Sequence, residues 1–201
     1  MKQYFNIWCL AVFLAISPAA IAQVTNISHP DNLRATHDLP CIGFEQIRPQ
    51  YTPADLAHVV VKCAKKKVYN LAMEAFFVYS MYGSFDGQKM KDRSASAAIP
   101  FLNQVIFTNL TKRQQNGFSK AAKQFQNKKG SSFLAACNAV KRLGPPQYVP
   151  IYMAAHGLKA FVFKGDNVGF KSRKQLARSL KKINSRKTWE MILFEVNKCP
   201  K

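Results

Sequence analysis

Residues 52–82 read TPADLAHVVVKCAKKKVYNLAMEAFFVYSMY, and this stretch decides the fold class. Thr52 can cap a helix, Pro53 suits its first turn, and Asp55 stands where a capping box needs a carboxylate. Leu56, Val59, Val60 and Cys63 then form an apolar stripe that ends at the Lys65-Lys66-Lys67 turn. A second helix is expected over 68–82, where Leu71, Ala72, Ala75, Phe76, Tyr79 and Tyr82 recur at helical spacing. Gly83-Ser84-Phe85-Asp86-Gly87 reads as its stop.

The same period continues downstream. A third helix is expected over 91–108, with Pro100 as a kink or boundary. Further helices fit 111–126 and 131–143, the latter ending at Gly144-Pro145-Pro146. Residues 148–163 read as another helix, although the turn at Gly165-Asp166-Asn167 also allows its apolar flanks to pair as a short hairpin. Two last helices are expected over 173–183 and 187–197. Residues 23–51, with Pro30 and Pro40, read as an irregular lead-in. The expected architecture is all-α: one compact multi-helix domain over 23–201, with room for one short β-hairpin.

Upstream, residues 1–22 carry the three parts of a secretory signal. Lys2 supplies the charge, an apolar run extends from Tyr4 to about Ile16, and Ala20 and Ala22 fit a signal peptidase before Gln23. The run is short for a membrane span, and no later stretch reaches ~18 uninterrupted apolar residues. Cleavage near Ala22-Gln23 implies a secreted or periplasmic protein with no transmembrane span in the mature chain. It also removes Cys9 and leaves Cys41, Cys63, Cys137 and Cys199. An even count in an exported protein favours two disulfides, with three possible connectivities. The pairing Cys41–Cys63 with Cys137–Cys199 is preferred, because each bridge joins a loop or terminus to a nearby helix.

The helix pair over 54–82 resembles one tetratricopeptide-type helical hairpin. Leu56, Val59, Ala72, Phe76 and Tyr79 match the packing positions of that motif. Val60 stands where its glycine is usual, and Cys63 replaces its aromatic. Further copies at a period of about 34 residues are lacking. The resemblance implies a protein-binding scaffold.

Charge points to function more directly. From Gln23 onward the chain has 29 Lys/Arg against 10 Asp/Glu. Residues 23–110 are nearly balanced at +2, whereas 111–201 carry 20 basic and three acidic residues, a net of +17. Such a half attracts polyanions or an acidic protein. Its densest part is 171–187, where Leu176, Leu180 and Ile183 fall on one helical face. Arg173, Lys174, Arg178, Lys181 and Lys182 occupy the remainder, and Arg186 and Lys187 follow. Such a helix can dock on its own domain or lie on anionic headgroups. The export compartment favours an anionic envelope component or an acidic protein over nucleic acid.

Catalytic motifs are sparse. HExxH, GxSxG and the Walker A pattern are absent, and no histidine or cysteine spacing calls for a metal or other cofactor. His29 with Asp31 and His37 with Asp38 read as surface-loop residues, His58 as a partner of Asp55, and His156 as a helix-end or core histidine. The enzymatic alternative rests on Glu74, set among Ala72, Met73, Ala75, Phe76 and Phe77. A half-buried carboxyl there could serve as the general acid of a lysozyme-like wall hydrolase. A second carboxylate from Asp55, Asp86 or Asp92 would have to stand about 5–9.5 Å away.

Overall fold

The computed structural model describes residues 27–165 and 167–200. The signal segment 1–22 and the Ala22-Gln23 junction lie outside the described residues. The fold is helical, as the apolar periodicity requires. Helix α1 spans Pro53–Lys65 and α2 spans Tyr69–Lys89. A three-residue turn joins them, and together they form the hairpin around which the other elements pack.

The start of α1 follows from its first four residues. Thr52 and Asp55 form the reciprocal capping box, with Pro53 in the first turn. Asp55 does more than cap. It is fully buried, and its carboxylate accepts from the backbone N–H groups of Thr36, His37 and Thr52 and from the Thr52 hydroxyl. Burial pushes this carboxyl up, but those donors more than offset it and hold the group below the usual carboxylate range. Replacing Asp55 with Ala therefore strands several buried donors, and chemical denaturation should record a loss of about 3 kcal/mol. The carboxylate's contribution is complete above the ordinary Asp pKa of 3.8 and is lost as acid protonates it, so the gap between Asp55→Ala and the parent should narrow as pH falls below that value.

Helix α2 overruns its expected end and continues through Gly83 and Gly87 to Lys89. Packing outweighs the helix cost of glycine, about 1 kcal/mol each. Phe85 and Asp86 are fully buried, and a side-chain carbon on Gly83 would meet Ile99 Cδ1 at 2.5 Å. The glycine here is a contact surface for the next helix. The expected helix over 91–108 also divides. Asp92 caps a 3-10 turn, Arg93–Ala97, and α3 begins only at Ala98 and runs to Thr108. This puts Pro100 in the first turn, where its missing N–H removes no helical bond.

Helices α4 (Lys112–Gln126) and α5 (Ser131–Leu143) fall where expected. The expected helix over 148–163 does not form. Only α6, Ile151–Ala154, and a 3-10 turn, Leu158–Ala160, are helical there. Strands β1 (Phe161–Lys164) and β2 (Asn167–Phe170) then pair antiparallel, with Phe161 opposite Phe170 and Phe163 opposite Val168. The hairpin alternative is the one realised.

Both disulfides are present in the preferred pairing. Cys41–Cys63 staples the lead-in to α1, and Cys137–Cys199 staples the C-terminal segment to α5, with Cα separations of 4.8 and 5.6 Å. The lead-in itself is irregular but well attached. Leu39, Ile42 and Ile47 are buried, and residues 44–46 form a 3-10 turn. No described helix is long and apolar enough to cross a membrane.

Candidate functional site

The basic segment over 171–187 is not one amphipathic helix. Helix α7 covers only Arg173–Arg178, capped by Ser172, and α8 resumes at Ser185–Glu190, capped by Asn184. Between them the backbone leaves the helical path, because the Lys181 N–H donates to Lys89 O at the end of α2 (2.8 Å). The apolar residues keep their inward role despite the break. Leu176 is buried, and Leu180 and Ile183 pack partly against the core. This face is spent on the protein's own interior.

Seven of the eight cationic side chains of 171–187 are exposed, and Lys171 is half-buried. Arg173 pairs with Asp31 at 2.9 Å, and Arg186 pairs with Glu190 at 3.1 Å, one turn along α8. Lys174, Arg178, Lys181, Lys182 and Lys187 make no ion pair among the described residues. Exposed charges of one sign on an anchored segment raise the local potential without a competing internal partner.

Glu74 is half-buried on α2, beside a cleft of about 320 Å³ lined by Phe44, Asn70, Gln124, Phe125 and Ser132 among others. Its Oε2 accepts from the Phe44 N–H (2.9 Å) and so tethers the 3-10 turn of the lead-in. The three carboxylates considered as its partner are each engaged elsewhere. Asp55 holds the lead-in and the start of α1, and Asp92 accepts from Ser94 and the Lys159 N–H. Asp86 is sealed in the core.

Asp86 is the most unusual ionisable group in the molecule. Its Oδ2 accepts from the Tyr148 and Tyr152 hydroxyls at 2.8 and 2.9 Å, while Oδ1 is buried with no partner among the described residues. Burial pushes the carboxyl up to about 7, against the pull of both tyrosines and Lys89. Asp86 lies between Gly83 and Gly87, whose composition reads as a helix stop and hides its place on α2. Continued at helical spacing, Tyr79, Tyr82 and Asp86 share one face, and that was the available signal.

Three of the four histidines, His29, His37 and His156, are structural ties. His29 is buried and not in a loose loop: its Nδ1 accepts from the Asp31 N–H and its Nε2 donates to Lys171 O. His37, not His58, is the histidine beside Asp55, at 3.2 Å from ring Nδ1 to Oδ2, and His58 is exposed. His156 Nδ1 lies 2.8 Å from Asn32 Oδ1, and its ring packs against Phe101. No group of three or more His, Cys, Asp or Glu side chains that could hold a metal occurs among the described residues.

The chain matches no family model, and comparisons with curated proteins and with solved structures likewise find no match. The two disulfides are compatible with an extracellular or periplasmic protein.

Proposed function

We propose that this is an exported, non-enzymatic binding protein that engages an anionic surface or an acidic protein partner through the basic face formed within 111–187. The observation that carries the reading is the set of five exposed cations, Lys174, Arg178, Lys181, Lys182 and Lys187, without a carboxylate partner among the described residues. The segment bearing them is locked to the core at Leu176 and at the Lys181–Lys89 backbone bond. Its charges are therefore presented in a fixed arrangement, which lowers the ordering cost of binding. Secretion through cleavage near Ala22-Gln23, and the tetratricopeptide-type resemblance over 54–82, fit the same reading. An immunity or inhibitor protein that neutralises an imported toxin or envelope enzyme is its specific form.

The test is to neutralise Arg178, Lys181 and Lys182 together, each to Gln. Their exposed positions leave the core untouched, so the melting temperature should hold. Retention on a heparin matrix should weaken, and the slope of log affinity against log salt should drop by about two to three. Unchanged retention in a folded variant would refute the basic-face reading. The hydrolase alternative places Glu74 at the cleft as acid. Under it, Glu74→Gln would abolish turnover of wall polymer, whereas the binding reading expects no turnover from either protein.

A further inference from the structure

Helix α3 is the most apolar of the five long helices, yet only Ala98, Leu102 and Ile106 of its eleven residues are buried. Phe101 is 50% exposed and Val105 38%, one turn apart on the outer face. Leu158, 73% exposed, belongs to the same surface: its N–H donates to Ser94 Oγ in the turn leading into α3, and Phe101 packs on His156 two residues before it. An apolar face left to solvent on so charged a protein marks an interaction site.

The surrounding charge defines what covers it. Residues 93–165 contain eleven Lys/Arg and no Asp or Glu. Helix α3 has no charged residue, and exposed cations stand at both ends of the patch, Arg93 and Lys159 at one and Lys112 and Arg113 at the other. Asp92, the nearest acid in sequence, is occupied by Ser94 and the Lys159 N–H. The face is the side of a helix, a shape that lies flat on a surface. An apolar stripe flanked by cations complements a bilayer interface, where anionic headgroups overlie hydrocarbon. Lys159, at one end of the patch, also lines a small crevice with Asp92 and with Leu176 of α7.

We infer that the outer face of α3, with Leu158, is an interfacial membrane anchor that enters the headgroup region of an anionic lipid bilayer. It rests on the basic-face reading, which supplies the attraction that brings the protein to the surface. Insertion then adds an apolar contribution that salt does not screen.

The full oxidised protein should bind vesicles of mixed phosphatidylglycerol and phosphatidylcholine and ignore phosphatidylcholine alone. In the chain from Gln23 onward, which lacks Trp8, a Phe101→Trp variant should gain blue-shifted emission on the mixed vesicles and be quenched by bromine-labelled acyl chains, against the constant background of buried Trp189. Phe101→Ser and, independently, Val105→Ser or Leu158→Ser should weaken vesicle binding about tenfold, with melting and the salt slope unchanged. Three results would overturn the inference. Vesicle binding without a shift or quenching of the introduced indole means that charge alone holds the protein. Heparin retention without vesicle binding means that the basic face serves another polyanion. Loss of binding to an acidic protein in Phe101→Ser, with vesicles unbound throughout, means that the face docks protein. The first two leave the basic-face reading standing, whereas failure on both heparin and vesicles removes both.

Discussion

Replacing Asp86 with Asn should flatten the pH dependence of stability between about pH 4 and pH 7. The parent carboxyl titrates near 7 in the native state and near its ordinary value of 3.8 when unfolded. Between those values the folded chain holds a proton that the unfolded chain has released, so stability falls as pH rises through the window. Below it both states are protonated, above it both are ionised, and the contribution is level. The full change is roughly 4 kcal/mol, since one pKa unit is worth about 1.4 kcal/mol. Asn keeps an acceptor oxygen for the Tyr148 and Tyr152 hydroxyls and does not titrate. Its stability relative to the parent should therefore climb across the window and be most favourable near pH 8. Urea unfolding of both proteins from pH 4 to 8 would show this, and parallel curves would mean that Asp86 is not the neutral, sealed acid described above. Removing one donor with Tyr148→Phe should shift the parent's transition to still higher pH.

Cys137→Ser with Cys199→Ser should be more damaging than loss of the Cys41–Cys63 bridge. The bridge spans 62 residues of chain, and the loop-entropy relation gives about 4 kcal/mol for a loop of that length. For a chain of this size the melting temperature should fall by about 10 °C. The loss should concentrate at the C-terminal end, where Trp189, Ile192 and Leu193 dock and the Cys199 N–H donates to Leu193 O. Trp189 packs against Tyr82 and Phe85, so its emission should shift red in the variant well before the α1–α2 hairpin unfolds. A loss under about 1 kcal/mol would show that docking of the C-terminal segment alone suffices to hold it. Cys41–Cys63 closes only 22 residues, and its removal should cost less, about 3 kcal/mol.

Much of the fold was written in local signals. Thr52 and Asp55 mark the start of α1 because capping chemistry operates over four residues. Leu56, Val59, Val60 and Cys63 are all buried, since burial on one face of a helix leaves a period that survives in the chain. The disulfide pairing followed from which cysteines lay beside helices, and the hairpin turn at 165–167 was visible as composition. The exposed cations of 173–187 were likewise legible, because charged side chains stay outside unless paired.

Elements that depend on a distant partner could not be read this way. Helix α2 passes Gly83 because Ile99, sixteen residues on, fills the space that a side chain would take. The helix expected over 173–183 stops at Arg178, where a backbone bond to Lys89 replaces the next helical one. His29 and Asp31 look loose in sequence, yet Lys171 and Arg173 hold them. The burial of Asp86 required two tyrosines from more than sixty residues away. By itself the sequence determined the helical class, from neighbours one or two turns apart, and the sign of the surface charge, from composition, while the cysteine pairing it favoured was one of three that the fold then selected. Where α2 and α7 end, which acid is sealed and which apolar face is left to solvent were decided by tertiary structure, because each depends on atoms that only folding brings together.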